Sequence, residues 1–281
     1  MTDPARAVSV VIPAHDEGAW IDACLAALWA SDPVPGGAEA IVVANGCADD
    51  TAARARAHAG RAAAAGWGLR VVELATGGKP GALDAGDRAA SGGTRIYLDA
   101  DVTVSPPLVA QLAAALDAPE PRYAGGTPLI APARSAVSRA YARFWARLPF
   151  MAEGVPGFGV YAVSAAGRAR WGEFPRIISD DTFVRLSFAP SERVRVPATY
   201  RWPVVEGLGR LVAVRRRQDA GVREVARRFP DHPARDDKRS LGAREVLRLG
   251  LRDPLGFLAY GLVSAAVRRR RGREEDWTRG R

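Results

Sequence analysis

The stretch VSVVIPAHDE at residues 8–17 begins with an apolar, β-branched run that meets a proline and continues into a polar loop. Such a run predicts a short buried strand. The next segments alternate in periodicity, with helices predicted over 19–30, 49–65 and 79–91 and strands over 40–44, 69–74 and 94–98. This alternation predicts an α/β fold with a doubly wound, mostly parallel sheet, whose ligands gather at the carboxyl ends of the strands.

Polar and small residues follow each predicted strand in this part of the chain. The loops are AHDE at 14–17, NGCADD at 45–50, GGKP at 77–80 and DAD at 99–101. Because parallel strands end at the same edge of a sheet, we expect the side chains of these loops to converge there. The sequence therefore predicts a ligand site at that edge.

Two of these loops suit a metal ion and a phosphorylated ligand. Asp99 and Asp101 are one residue apart, so both carboxylates can bind a hard cation such as Mg²⁺ or Mn²⁺, which in turn binds a diphosphate. Lys79 opens a predicted helix after two glycines, where its charge adds to backbone N–H groups that bind phosphate. It is one of two lysines among 40 basic residues. The alternative for all three residues is a solvated surface position.

The charge of the chain is unevenly distributed. Its 281 residues, 48% of them hydrophobic, suffice for one large or two small globular domains, and 40 basic against 31 acidic residues leave +9. Residues 1–190 carry 17 basic and 19 acidic residues, whereas residues 191–281 carry 23 and 12. A near-neutral body with a basic last third argues against a protein that wraps nucleic acid with its whole surface.

Cysteine and histidine usage excludes two further classes. Cys24 and Cys47 are too few for a disulfide framework, and three histidines without metal-ligand spacing predict no zinc site. The first residues show no signal-peptide pattern, and no apolar run reaches the roughly 20 residues of a membrane span. We therefore expect a cytosolic protein.

The basic C-terminal part contains a mostly apolar segment, residues 254–267, followed by four arginines at 268–271. The segment is too short to span a bilayer. One interpretation is an amphipathic helix on an anionic membrane surface, on the inner face of the cell membrane. The other is a helix that packs on the domain and carries a frayed arginine tail.

Five segments, in their order and spacing, resemble those of the family 2 glycosyltransferases of GT-A fold. They are VSVVIPAHDE (8–17), IVVANGCADDT (41–51), GGKPGALDAGDRAA (77–90), YLDADVTV (97–104) and SDDTFVRL (179–186). The resemblance covers about residues 8–220. It implies a GT-A catalytic domain at 1–220, with a nucleotide-sugar half at about 1–104 and an acceptor half at about 105–220, before a basic helical extension at 221–281.

The resemblance implies a metal-dependent, inverting transfer of one sugar from a nucleotide diphosphosugar to a hydroxyl. The acceptor would be lipid-linked, part of the cell envelope, or a small molecule. Asp181 would be the catalytic base, with Asp180 as its neighbour, and Asp99 and Asp101 would hold Mg²⁺ or Mn²⁺. The nucleotide-sugar-binding residues implied are Pro13, His15, Glu17, Asn45, Asp49, Lys79, Asp99, Ala100, Asp101 and Arg217, with Asp16 beside Glu17 at the nucleoside end. The alternative for Asp180 and Asp181 is a pair that caps the following helix.

Three positions depart from the family pattern. Ala44 and Asn45 stand where two acids are usual. The contacts with the nucleobase and the ribose of the donor are therefore left to Asn45, Asp49 or another group. Asp84 stands where Asn is usual and adds a negative charge near the predicted phosphate site. The segment 214–218 lacks the tryptophan of processive members, so addition of a single sugar is expected. Arg217, or with it Arg215 or Arg216, would bind the diphosphate or the acceptor; a solvated helix face is the alternative.

Two other functions compete with sugar transfer. A sugar nucleotidyltransferase would also use carboxylates and a divalent cation, but it expects a glycine- and arginine-rich loop after the first strand, where this chain has AHDE. A non-catalytic module that binds a sugar nucleotide would explain the missing acids at Ala44 and Asn45, but not the retained acid pairs. Nucleic-acid binding rests on charge alone and is not expected.

Overall fold

The computed structural model describes residues 7–269. In that range the strands are β1 (Val8–Ala14), β2 (Ala38–Asn45), β3 (Gly68–Leu74), β4 (Thr94–Leu98), β5 (Thr103–Val104), β6 (Tyr123–Ile130), β7 (Val160–Val163) and β8 (Arg193–Trp202). The helices are α1 (Ile21–Trp29), α2 (Thr51–Ala57), α3 (Ala59–Ala64), α4 (Lys79–Ala89), α5 (Leu108–Leu116), α6 (Ala136–Trp145), α7 (Pro149–Ala152), α8 (Ala165–Arg168), α9 (Asp180–Leu186), α10 (Leu208–Arg228), α11 (Ala243–Arg252) and α12 (Pro254–Arg269).

The eight strands form one sheet in the order β3-β2-β1-β4-β7-β6-β8-β5. The contiguous set β3-β2-β1-β4 is parallel. β7 runs antiparallel to β4 and to β6, and β5 runs antiparallel to β8. The expected α/β fold with a doubly wound, mostly parallel sheet is thereby confirmed, and the sheet continues into an antiparallel part.

The parallel strands are held by helices packed on their faces. Val10 and Ile12 of β1 are fully buried, and the α1 residues Ile21, Leu25 and Leu28 recur at helical spacing and are buried with them. α4 approaches β1 so closely that a Cβ at Gly86 would lie 2.2 Å from Cγ1 of Val11. This packing places the carboxyl ends of β1, β2 and β4 beside the start of α4.

Two predicted helices are interrupted. The helix predicted at 49–65 is two helices, α2 and α3, because its turn tightens at His58, whose N–H donates to the Ala55 carbonyl at 3.2 Å. The ring of the buried His58 accepts from Nε1 of Trp29 at 3.0 Å. The aromatic-rich sequence at 138–151 predicts one amphipathic helix, but the helix there ends at Trp145 and resumes at Pro149, which lacks the N–H that a continuous helix needs.

The arginine-rich sequence after Pro190 predicts helices, but the segment instead begins with β8. Its sequence, RVRVPATYRW, alternates, and Val196, Ala198 and Tyr200 are buried on one face. The period-two pattern predicts a strand, but the high arginine content obscured it.

The chain divides into two units. The first consists of the residues up to Leu129, Val155–Arg176 and Ser187–Trp202, and the second of Ile130–Gly154, Ile177–Leu186 and the residues from Pro203 onward. α10 runs through residue 220, where the sequence predicted the start of an extension. That functional boundary stays a prediction.

In the second unit, α6, α10 and α12 enclose a small apolar core. Its buried members are Tyr141, Leu211, Val212, Ala259 and Val263. Across residues 7–269, no helix combines the length and apolar character needed to cross a bilayer.

Candidate functional site

The loop after β1 is joined to the loop after β2 by several hydrogen bonds. Nδ1 of His15 lies 2.7 Å from the Asn45 carbonyl oxygen. The carboxylate of Asp16 accepts from the Ala48 N–H at 2.7 Å, while the Asp16 N–H points at Sγ of Cys47, 3.4 Å away. Asp16 adopts a left-handed backbone with φ of 52°. Such a conformation in a non-glycine residue persists only where its surroundings hold it, as these contacts do.

Asn45 is buried and holds three segments together. Its Nδ2 donates to the Ala14 carbonyl at 2.6 Å, and its Oδ1 accepts from the Gly78 N–H at 2.8 Å. The side chain therefore ties the end of β1 to the start of α4. The sequence assigned Asn45 to donor binding; the structure shows it in a scaffolding position, and its contact with a donor stays a prediction.

The next loop reaches the backbone of the β2 loop. Gly46 has φ of 59°, and a Cβ there would lie 2.5 Å from the Gly77 nitrogen. Only glycine permits this approach, which seats the GGKP loop against β2. Lys79 follows as the first residue of α4, and its Nζ lies 3.0 Å from Oδ1 of Asp99. Two predicted site residues from different loops are thus brought together.

Acidic groups gather around the end of β4. The Asp99 N–H donates to the Gly159 carbonyl at 2.9 Å, Ala100 is buried, and Asp99 and Asp101 are half-buried. Burial raises the pKa of the Cys24 thiol, and the carboxylates of Asp101, Asp99 and Glu17 raise it further through their charge. Three predicted site acids thus lie near the Cys24 thiol.

Two other predicted donor-binding residues have identifiable contacts. Pro13 is half-buried in β1. Asp49 accepts from the Gly18 N–H at 2.9 Å and from the Thr51 N–H at 3.0 Å. Partial burial alone would raise the pKa of Asp49, but hydrogen bonds from Thr51 and Gly18 lower it below its usual value. Asp49 therefore fixes the loop before α2 in its ionised form.

A cleft opens between the ends of β2 and β3 in the first unit. It is lined by Ala44, Gly46, Cys47, Glu73, Leu74 and Ala75. The small side chain of Ala44, where the resembling family has an acid, contributes to this space. Neither Cys47 nor Glu73 was assigned a role from the sequence, although Cys47 lies in the NGCADD loop.

The structure explains the unusual Asp84. Its Oδ1 accepts from the Phe174 N–H at 2.8 Å, and burial raises its pKa. Asp84 thus anchors the segment Val155–Arg176 to α4. One turn later, Asp87 accepts from the Tyr97 hydroxyl at 2.9 Å and from Nε of Arg168 at 2.7 Å. This network was missed in the sequence, since its members are spread over 82 positions.

The acid pair of the second unit opens α9. Asp180 is buried, with 4% of its surface exposed, whereas Asp181 is half-buried. Oδ1 of Asp181 accepts from the Thr182 N–H at 2.7 Å. The capping interpretation and the catalytic one thus both fit this position, and Asp181 is the more accessible of the two acids.

Two of the three arginines considered on α10 have packing roles. Nε of Arg215 pairs with Asp219 at 2.9 Å, and its Nη1 lies 3.4 Å from the Tyr260 hydroxyl. Nη2 of Arg216 donates to the Ala266 carbonyl at 2.7 Å. These contacts join α10 to α12. Arg217 is half-buried on the same helix and stays the candidate for a ligand contact.

Comparisons with known proteins were made for sequence and for structure. A family model described as "Glycosyl transferase family 2" matches residues 9–159. The comparison with curated proteins finds no match.

Three of the similar solved structures illustrate the relationship. Mannosyltransferase PcManGT from Pyrobaculum calidifontis, in complex with GDP-Man and Mn²⁺, is 20% identical with a TM-score of 0.59, covering 95% of this chain and 76% of that chain. TarS 1–349 from S. aureus, in complex with UDP, is 14% identical with a TM-score of 0.53, covering 97% and 94%. Glucosyl-3-phosphoglycerate synthase from Mycobacterium tuberculosis, in complex with Mn²⁺, UDP and glucosyl-3-phosphoglycerate, is 26% identical with a TM-score of 0.51, covering 79% and 80%.

The structural matches show a shared fold, and the family model accounts for more than half of the chain, including β1, β2, α4 and the loop after β4. The chain therefore belongs to glycosyl transferase family 2 and is a glycosyltransferase of GT-A fold.

Proposed function

We propose that the protein transfers one sugar from a nucleotide diphosphosugar to a hydroxyl acceptor, with inversion at the anomeric carbon and with Mg²⁺ or Mn²⁺ as cofactor. The observation that carries this proposal is the ion pair between Lys79 and Asp99 at the carboxyl edge of the parallel strands. A lysine at a helix start beside carboxylates offers a cation for phosphate and ligands for a metal in one place.

The residues at this edge fit a hard divalent cation. Asp99 and Asp101 offer only oxygen ligands, which Mg²⁺ and Mn²⁺ prefer over nitrogen and sulfur. In the solved relatives named above, Mn²⁺ accompanies GDP-Man in one protein and UDP in another. A cation held by Asp99 and Asp101 would neutralise negative charge on a diphosphate leaving group.

The chain's own residues supply the other parts of the reaction. Lys79 leaves Asp99 and binds a phosphate oxygen of the donor, which places positive charge where the leaving group becomes negative. The loops after β1 and β2 bind the nucleoside. Asp181 accepts the proton of the attacking hydroxyl, with the buried Asp180 beside it.

The competing functions receive less support. The Asn45 hydrogen bonds to Ala14 and Gly78 explain why an amide stands at this position. The replaced acid therefore no longer argues for a module that binds donor without turnover. A nucleotidyltransferase would need a glycine- and arginine-rich loop after the first strand. This chain has His15, Asp16 and Glu17 there instead.

The donor and the cofactor can be tested together by thermal unfolding. We expect a UDP- or GDP-sugar to raise the melting temperature of the wild-type protein in Mn²⁺, since a ligand at 100 times its Kd stabilises by about 2.7 kcal/mol. Asp99→Ala/Asp101→Ala should lose this shift. Asp117→Ala, at an exposed acid outside the site, is the matched control and should keep it. An equal shift in all three proteins would contradict the role of the acid pair.

Transfer itself needs a separate measurement. Asp181→Asn should retain the donor-induced thermal shift but lower the rate of transfer at least about a hundredfold, because it removes a general base. Proton NMR of the product should show the anomeric configuration opposite to that of the donor. Normal turnover by this variant would remove Asp181 as the base, and retained configuration would overturn inversion.

We further propose that the acceptor is lipid-linked and that the protein sits on an anionic membrane surface, through a surface that we call the leucine face. It consists of the exposed leucines of α11 and α12, which are Leu247, Leu251, Leu255, Leu258 and Leu262, between 51% and 73% exposed. In α12, the residues exposed between Pro254 and Ala265 are all apolar. A helix face of this kind is expected to bind an apolar partner.

The charges around the leucine face favour an anionic partner. Arg244, Arg248 and Arg252 are exposed on α11, and Arg268 and Arg269 are exposed at the end of the described chain. Between residues 246 and 269 the sequence has one acid, Asp253, which is buried and paired with Arg143 and Arg147. Arg270 and Arg271 of the predicted basic cluster lie outside the described residues. Basic residues beside an apolar helix face attract anionic lipid headgroups.

A further inference from the structure

The fold brings together three side chains that the sequence separates. One ligand atom each from His15, Asp16 and Cys47 can be chosen so that all three atoms lie within 4.8 Å of one another. All three residues are half-buried. His15 and Asp16 follow β1 and Cys47 follows β2, so the parallel pairing of these strands creates the cluster. Histidine and cysteine spacing in the sequence could not predict it.

The donor set suits zinc better than it suits magnesium or manganese. An imidazole nitrogen, a carboxylate oxygen and a thiolate sulfur are the ligands of zinc sites, and three protein ligands leave a fourth position for water. Ligand atoms around tetrahedral zinc lie about 3.5 Å apart, as follows from the bond lengths in such sites. Closing the cluster to that spacing requires the three side chains to move closer together.

The groups behind these ligands are arranged as in metal sites. Metal-bound histidines commonly donate their other ring N–H to a carbonyl, which fixes the tautomer. Nδ1 of His15 lies 2.7 Å from the Asn45 carbonyl, which makes Nε2 the nitrogen for a metal. The Asp16 carboxylate accepts from the Ala48 N–H through Oδ1. Ligating carboxylates are commonly hydrogen-bonded in this way as well.

We propose that His15, Asp16 and Cys47 form a zinc site that is distinct from the Asp99 and Asp101 pair. Binding forms a bond between Zn²⁺ and Sγ of Cys47 and releases the thiol proton to solvent. Sγ of Cys47 gives up its contact with the Ala14 carbonyl, which is 3.5 Å long. The bound ion joins the loops after β1 and β2, which are the loops proposed above to bind the nucleoside, so Zn²⁺ and the donor compete for this region.

The chain offers a matched control for the thiol. Cys24 is the other cysteine, it is 1% exposed, and burial raises the pKa of its thiol. The metal-free protein is titrated with Co²⁺ and then with Zn²⁺. We expect one Co²⁺ per chain with a thiolate-to-metal charge-transfer band, displaced by Zn²⁺. Cys47→Ser should lose the band and weaken Zn²⁺ binding at least tenfold, whereas Cys24→Ala and Asp99→Ala/Asp101→Ala should retain both.

A second measurement uses the unaltered chain, in case a variant fails to fold. Zn²⁺ should slow the alkylation of Cys47 by iodoacetamide in the native protein at least tenfold, and Mg²⁺ should not. A Co²⁺ spectrum without a thiolate band, equal Zn²⁺ affinity in Cys47→Ser, or alkylation unaffected by Zn²⁺ would each overturn the proposal. No sugar nucleotide is present in these measurements, so their outcome is independent of the proposed sugar transfer.

Discussion

Asn45 connects β1, β2 and α4 with a single side chain. Its amide donates to the Ala14 carbonyl and accepts from the Gly78 N–H, and the side chain is buried. An ionised carboxylate cannot donate a hydrogen bond. The requirement for one donor and one acceptor thus explains an amide where the resembling family commonly has an acid.

We predict that Asn45→Asp destabilises the protein by about 1–3 kcal/mol, the cost of leaving a buried carbonyl without its donor. Urea unfolding measures the change. The matched control is Asn45→Gln, which keeps both functional groups but lengthens the side chain, so its cost reports packing alone. A carboxylate variant as stable as the wild-type protein would show that the amide donor contributes nothing.

Residue-level roles were only partly predictable from the sequence. The loops that carry Lys79 and Asp99 could be predicted to meet, because their positions after parallel strands determine it, and the two side chains lie 3.0 Å apart. The partner of Asp84 could not be predicted, because Phe174 is 90 positions away in an irregular segment. Side-chain pairs of this kind depend on loop paths that no local pattern encodes.

Helix α4 packs on β1 through Gly86. A Cβ at this position would lie 2.2 Å from Cγ1 and 3.2 Å from Cγ2 of Val11, a buried side chain of the central strand. By contrast, among the described residues no atom outside the helix's own backbone and chain neighbours lies within 4 Å of a Cβ at Gly81. The two glycines therefore occupy opposite environments on one element.

We predict opposite signs for alanine at these two positions. Gly86→Ala should destabilise by about 1–3 kcal/mol, because an extra methyl overpacks the contact with β1. Gly81→Ala should stabilise by about 0.5–1 kcal/mol, because glycine is the poorer helix former. Thermal or urea unfolding measures both. If Gly86→Ala proved stabilising like its control, the close approach of α4 to the sheet would be contradicted.

Helix α12 begins at a buried charge. Asp253 accepts from Nε and Nη2 of Arg143, each at 2.8 Å, and from the Gly256 N–H at 3.0 Å. The hydrogen bonds from the Arg143 guanidinium lower the pKa of Asp253, and Arg147 adds to the effect. One carboxylate thus caps α12 and attaches it to α6.

This arrangement predicts a pH-dependent stability. A carboxyl whose pKa is lower in the folded state stabilises the fold above its unfolded pKa of about 3.9, and this stabilisation is lost as the pH falls through the folded value. We expect Asp253→Asn to cost about 1–2 kcal/mol at pH 7. The difference from the wild-type protein should shrink below about pH 4. Unfolding curves at several pH values test this, with Asp117→Asn as an exposed control; a pH-independent difference would contradict it.

Element boundaries were predictable where the pattern was regular. The strand predicted at 94–98 coincides with β4, and the strand at 69–74 with all but the first residue of β3. β8 was missed because seven of the 27 residues from 191 to 217 are arginines. This arginine content favoured a prediction of helices over the strand that the alternating pattern of apolar residues indicates. The break at His58 was missed because the local sequence is rich in alanine and has no proline to mark a break.

At the scale of the whole chain, the uneven charge and the leucine face both favour binding to an anionic membrane surface. The first 190 residues are nearly neutral, whereas the last 91 carry the excess. The sequence predicted the apolar stretch after Pro254, but the contribution of α11 follows from exposed leucines that the structure locates. Membrane binding by this protein should therefore weaken when exposed leucines are replaced and also when the electrostatic attraction is reduced.

We predict that the protein sediments with vesicles containing phosphatidylglycerol and not with phosphatidylcholine alone. Leu255→Gln/Leu258→Gln should lower the bound fraction at least tenfold, because each leucine that becomes buried in the membrane contributes roughly 1 kcal/mol or more to binding. High salt should also weaken binding. Leu129→Gln, at an exposed leucine of the first unit, is the control. Absence of sedimentation, or an equal loss in the control, would contradict the proposal; self-association of the chain would point to a second copy as the partner.

The arrangement of the sheet has a consequence for protein synthesis. The parallel strands β3, β2, β1 and β4 all come from residues 8–98, so they can pair as soon as this part leaves the ribosome. β5 follows immediately, but Thr103 pairs with Arg201 of β8, which is translated much later. The nascent chain thus carries a completed parallel half whose β4 edge waits for β7 (Val160–Val163), followed by a strand β5 that waits for β8. During that interval we expect it to depend on chaperones that shield unpaired strands.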